Sequence, residues 1–157
     1  MIYPISYKEI DPNIEFYSEV ITLHHEAEQY LDSFIWCKAI KKSYLYTNIG
    51  KVFCIFLFEI ENISSPKDCF LWVVVGDIPT IYLDTFGPKT TVEVLEDYVN
   101  LSQDWINHIK NGQSVNDCYP FNAKPTVELA ELLEKKISFM RATLINNIEE
   151  IVFKIPS

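Results

Sequence analysis

The side chains of this 157-residue sequence that could do chemistry are three histidines, four cysteines and a surplus of carboxylates. The densest group is His24-His25-Glu26-Ala27-Glu28. Adjacent side chains on a helix diverge by about 100°, so the two histidines cannot face one ion, and His24 with Glu28 is the pair at ligand spacing. Two ligands make a weak centre. The segment therefore reads first as a solvated helix face, and a metal would require a remote third ligand such as His108 or a cysteine. Nucleophilic catalysis would draw on a cysteine, Ser102 or Ser114 with a histidine as base, but no G-x-S-x-G elbow is present. Cys54 in an apolar run and Cys37 beside Trp36 read as packing thiols. Asp77 and Asp84 bracket residues 78–83. Two carboxylates there, with His24, His25 or His108, would suit a small hydrolase or metal-dependent enzyme if burial raised one pKa; a turn role is the simpler account of Asp77.

Phosphate chemistry is disfavoured, because Gly50, Gly76, Gly87 and Gly112 stand isolated and form neither G-x-G-x-x-G nor a P-loop. A net charge of −9 opposes nucleic-acid binding, which needs a positive field to displace counterions. The charge is uneven. Residues 1–36 carry seven acids against Lys8, residues 77–117 seven against Lys89 and Lys110, and Lys38, Lys41, Lys42 and Lys51 form a small basic island. An acidic face can steer and hold a basic protein partner. Glu15, Glu19, Glu26, Asp77, Tyr82 and Asp84 are the surface candidates for such a role. No cofactor is implied. The N-terminus lacks the pattern of a secretory signal, the longest apolar runs are too short for a membrane helix, and the scattered cysteines suit a reducing compartment, so the expected location is cytoplasmic.

These residues must be positioned by elements that the periodicity predicts. Asp11-Pro12 marks a helix start, and Phe16, Val20, Leu23, Ala27, Leu31 and Phe34 follow at three- and four-residue spacing, with a continuation, or a restart after a kink, through residues 36–41. Asn48-Ile49-Gly50 joins two arms of a hairpin. In the second arm Val52, Cys54, Phe56, Phe58 and Ile60 alternate with Phe53, Ile55 and Leu57, so both faces are apolar and need cover. Residues 70–75 repeat the pattern, and residues 80–83 make a short strand whose preceding Pro79 suits an edge. Thr90-Thr91-Val92-Glu93 is a capping box that opens a helix ending at Asn111-Gly112; Pro125 opens another, and residues 151–155 form a last strand or a docked tail. The expectation is one α+β domain over 1–157, with an N-terminal helix, an antiparallel sheet of three to four strands and two C-terminal helices packed on the sheet. Helices on both faces are preferred to a homodimer that buries one of them.

Trp36-Cys37-Lys38-Ala39-Ile40-Lys41, Ile49-Gly50-Lys51-Val52, Phe56-Leu57-Phe58-Glu59-Ile60 and Leu71-Trp72-Val73-Val74-Val75-Gly76-Asp77-Ile78-Pro79-Thr80-Ile81-Tyr82-Leu83 resemble, in order, segments of a family of small uncharacterised bacterial proteins. The resemblance spans roughly residues 28–145. It implies a bacterial cytoplasmic protein and directs attention to residues 36–41 and 76–82, without implying an activity. Together with the acidic surface, it leads to the expectation of a non-enzymatic protein-binding module, of the immunity or antitoxin type that neutralises a toxin. The alternative is the hydrolase or metal-dependent enzyme built on Asp77 and Asp84 with a histidine.

Overall fold

The computed structural model describes residues 2–50 and 52–156. Strands β1 (Ile5–Ser6), β2 (Cys37–Ile49), β3 (Phe53–Asn62), β4 (Phe70–Gly76) and β5 (Ile78–Asp84) pair antiparallel in chain order. Helix α1 (Tyr17–Asp32) precedes β2, while α2 (Thr91–Lys110) and α3 (Val127–Phe139) follow the sheet, and α3 runs on into a π turn at Met140–Leu144. The class is α+β, and the sheet has five strands rather than three or four. The additional strand, β1, is two residues long and registers Ile5 opposite Leu45. It is too short to leave a periodic signal.

The strand at the centre explains the arrangement. Every residue from Phe53 to Phe58 is fully buried. Because successive side chains point to opposite faces, Cys54, Phe56 and Phe58 join one buried cluster with Val20, Leu23, Ala27 and Leu31 of α1. Phe53, Ile55 and Leu57 join another with Val94, Leu95 and Tyr98 of α2 and Ala130, Leu133 and Ile137 of α3. At about 1.5–3 kcal/mol for each fully buried large apolar side chain, β3 is among the most stabilising segments of the chain.

Two sequence expectations for the N-terminal third are corrected. Asp11 does not cap α1: its carboxylate accepts the Asn13 N–H at 2.8 Å in a local turn, and the helix begins only at Tyr17. Residues 37–41 are strand, not a continuation of the helix, which ends where Ser33 returns hydrogen bonds to Gln29 and Tyr30. The register of β2 against β3 shifts three times, between Cys37 and Ala39, Ile40 and Lys42, and Leu45 and Thr47. Each bulge resets the inward–outward alternation, so the sequence never shows a clean period of two.

The remaining elements follow local rules. Thr90 caps α2 by accepting the Glu93 N–H at 3.1 Å, while the Glu93 carboxylate accepts the Lys89 N–H at 2.9 Å. Pro79 lies in β5, the outer strand of the described sheet, where its missing N–H is harmless. Residues 151–155 are a docked tail. The Thr91 hydroxyl donates to Glu149 O at 2.7 Å and accepts Ile151 N–H at 2.9 Å, and Val152 makes one bridge to Thr90.

Between β4 and β5 the chain reverses over Asp77 alone. A Cβ on Gly76 would lie 2.2 Å from the Val52 carbonyl oxygen and 2.6 Å from the Phe53 Cα, both rigid backbone atoms. Gly76→Ala is therefore expected to destabilise the fold by about 2 kcal/mol or more, measured as a lowered urea midpoint. An unchanged midpoint would show that this turn tolerates a side chain.

Candidate functional site

His24 lies on the buried stripe of α1, one residue beyond Leu23, and is only 3% exposed. This corrects the reading of residues 24–28 as a solvated face, which holds for His25 and Glu26 but not for His24. Its ring stacks under Tyr7 with centroids 3.5 Å apart and meets Phe56 and Phe58 at 5.2 and 5.4 Å. Two polar groups flank it. Nε2 is 2.6 Å from the Ser43 hydroxyl on β2, and Nδ1 is 3.1 Å from a Glu28 carboxylate oxygen one helical turn away. The carboxylate sits off the Nδ1–H direction, so Nδ1 remains without a hydrogen bond. Burial, aided by the neighbouring His25, lowers the His24 pKa to about 4, and burial also raises that of Glu28.

At neutral pH His24 is thus an uncharged imidazole. With the Ser43 O–H donating to Nε2, the ring proton resides on Nδ1, close to the Glu28 carboxylate but not directed at it. Ser43, His24 and Glu28 line one cavity of about 1060 Å³ with Tyr7, Lys41 and Lys42. A hydroxyl, a neutral base bonded to it and a carboxylate on the base's far side are the parts of a nucleophile–base–orienter relay. Sequence reasoning singles out Ser102 and Ser114 and misses Ser43. Its one signal is an inward, apolar-facing position on β2, which the bulges conceal.

No family model, curated protein or solved structure matches the chain. The resemblance to a bacterial family therefore rests on its own segments, two of which meet in space. Trp36 stacks on Phe34 with centroids 4.8 Å apart and abuts Tyr82 at 5.2 Å. Tyr82 also contacts Tyr30 and Tyr119. A second cavity, of about 640 Å³, opens beside this aromatic group and is lined by Glu26, Tyr30, Phe34, Tyr82 and Phe121.

A third constellation lies on α2 and the loop after it. Among the described residues, Asp104, His108 and Cys118 form one group whose ligand atoms lie within 4.8 Å of one another. Asp104 and His108 share a helix face at i,i+4, and the Asp104 carbonyl oxygen is 2.8 Å from His108 Nδ1. Cys118 arrives from a turn closed by its N–H bonding Val115 O at 3.0 Å. Burial and the nearby Asp104 carboxylate raise the thiol pKa.

The other sequence candidates are dispersed. Asp77 immediately precedes β5 and Asp84 ends it, roughly 20 Å apart at about 3.3 Å per residue, and neither lines either cavity described above. Asp77 pairs with Lys136 at 3.2 Å, and Asp84 accepts the Phe86 and Gly87 N–H groups at 2.9 Å in a turn. Of the surface candidates, Glu26 and Tyr82 share a cavity. Glu15 lies before α1, its carbonyl accepting the Asn48 side-chain amide, and Glu19 sits in the first helical turn. Ser102 is buried within α2, and Ser114 caps a local turn. Burial pushes the Cys54 thiol up to about 12, in keeping with a packing role. Lys51 of the basic island lies outside the described residues. No helix of the described residues is long and apolar enough to cross a membrane.

The buried imidazole makes stability depend on pH. Between its ordinary pKa of 6.5 and its folded value of about 4, the unfolded chain binds the extra proton, so stability falls as pH drops through that window and His24 adds no further loss below it. Urea midpoints recorded from pH 7 to 4 should decline more steeply for the wild type than for His24→Gln. Equal slopes would show that His24 does not carry this dependence.

Proposed function

We propose that the protein is a small hydrolase acting on carboxylic esters in the cavity between α1, β2 and the C-terminal tail, with Ser43 as nucleophile, His24 as general base and Glu28 as its orienting carboxylate. The observation that carries this reading is the 2.6 Å contact of His24 Nε2 with the Ser43 hydroxyl inside that cavity. The reading keeps the hydrolase and the histidine of the sequence alternative and replaces Asp77 and Asp84.

In this mechanism Ser43 Oγ attacks the ester carbonyl carbon while Nε2 takes the hydroxyl proton. The imidazolium so formed returns that proton to the departing alkoxide, and a water activated by His24 then hydrolyses the acyl-serine. The partly exposed Glu28 carboxylate needs only a side-chain rotation to meet Nδ1–H and stabilise the positive ring, a contact that is often slack before substrate binds. Lys41 and Lys42 also line the cavity and make it locally electropositive, which suits a reaction that develops negative charge.

A fluorophosphonate probe and p-nitrophenyl acetate test the reading. The wild type should be labelled at Ser43. Ser43→Ala should lose labelling and at least about 10³-fold in kcat/KM, with Glu28→Gln intermediate. Ser43→Ala also strands a buried Nε2, so its fold is checked by circular dichroism, and Ser43→Cys, which keeps a nucleophile, should accept iodoacetamide at that position. Equal probe reactivity of the wild type and Ser43→Ala would refute the assignment.

A second reading retains the protein-binding module: a bacterial, cytoplasmic protein of the immunity or antitoxin type that holds a basic partner. The shared cavity of Glu26 and Tyr82, with its aromatic walls, favours it, since a cationic side chain gains from both a carboxylate and ring faces. Co-expression with the products of neighbouring genes should yield a complex that Glu26→Lys or Tyr82→Ala weakens by about tenfold or more. A complex indifferent to both changes would place the contact elsewhere.

A further inference from the structure

The geometry points to a divalent metal site of the zinc class formed by Asp104, His108 and Cys118, separate from the proposed hydrolytic cavity and anchoring the loop over residues 113–124 to α2. Three observations converge. The donor set is carboxylate, imidazole and thiol, the mixed oxygen, nitrogen and sulfur chemistry that zinc accepts. The three ligand atoms already lie within 4.8 Å of one another, so closing onto one ion requires only side-chain adjustments. With His108 Nδ1–H donating to the Asp104 main-chain carbonyl at 2.8 Å, Nε2 would be the ligating nitrogen, and a bond of this kind from the other ring nitrogen orients a metal-ligating imidazole.

The chain contributes these ligands economically. Asp104 and His108 come from one face of a regular helix, where i,i+4 spacing fixes their separation. Cys118 comes from a turn with its own backbone hydrogen bond and is 8% exposed, while His108 and Asp104 open progressively toward solvent. An ion can therefore enter from the Asp104 side and displace the thiol proton into water. Three protein ligands leave the fourth tetrahedral position to water.

The loop held in this way has contacts that matter elsewhere. Its Tyr119 hydroxyl donates to the Tyr82 carbonyl on the outer strand β5, and Phe121 reaches Tyr98 and Trp105 at 5.8 and 5.7 Å. Pro120, Phe121 and Asn122 form one wall of the aromatic cavity. Metal at Cys118 thus fixes the chain two residues before that wall and couples the order of the cavity to metal supply.

Cobalt(II) serves as the probe. Chelator-treated protein titrated with Co²⁺ should develop visible d–d bands and a near-ultraviolet thiolate-to-cobalt band at one equivalent, and Zn²⁺ should bleach both. Cys118→Ser should abolish the thiolate band, and His108→Ala should weaken binding by about 10- to 100-fold, with helical circular dichroism retained in both. Zinc should also slow proteolysis of the 113–124 loop in the wild type and not in Cys118→Ser. Absence of the thiolate band at millimolar cobalt, or its survival in Cys118→Ser, overturns the site. Ser43→Ala should bind cobalt like the wild type, so the metal site and the hydrolytic reading succeed or fail separately.

Discussion

Strand β3 is apolar on both faces and must be kept from water on both, and the fold is organised around that demand. A run of six fully buried residues cannot lie at a surface, so the strand has to be central and each side has to be roofed. The chain draws the roof of one side from the segment before the sheet and that of the other from the segments after it. The consequence for function is geometric. Each roof creates its own seam with the sheet, and the polar groups that enter those seams are the ones whose chemistry burial alters.

His24 shows the effect. Its position on the inward stripe of α1 costs the imidazole its hydration, and the neutral state is restored to a useful bond only by Ser43 across the seam. A polar pair placed in an otherwise apolar layer is expensive unless satisfied, and here one nitrogen is satisfied and the other waits beside a carboxylate. The structure thus holds, in its resting state, an incomplete hydrogen-bond chain that a ligand in the cavity would give reason to complete.

The pattern of β3 is legible in the sequence because apolar residues at every position from Val52 to Phe58, too few for a buried helix and preceded by Asn48-Ile49-Gly50, fit a strand covered on both sides. The capping box of α2 is legible because Thr90 and Glu93 act within one turn. What local spacing conceals is long-range. The bulges of β2 break its period, so residues 37–41 resemble a helix and the inward facing of Ser43 is hidden. Asp77 and Asp84 look like neighbours because the strand between them is short, yet an extended strand separates its ends more than any other element of equal length. Asp104, His108 and Cys118 meet only because the chain leaves α2 and returns to it, a path that no local spacing encodes.

The C-terminal tail carries an implication for dynamics. Residues 149–152 and 154–156 border the large cavity, and the anchorage of the tail to the body includes two hydrogen bonds to the single hydroxyl of Thr91 and the Phe153 N–H to Lys89 O bond. Detaching this wall breaks these bonds and lifts Ile151 and Phe153 off the core while leaving the pairing of the sheet intact, so it is a local opening that costs less than global unfolding. The shape of the cavity therefore depends on a wall that can come and go by itself: amides of residues 151 and 153 should exchange with solvent at the rate of tail detachment, before the amides of β3 do.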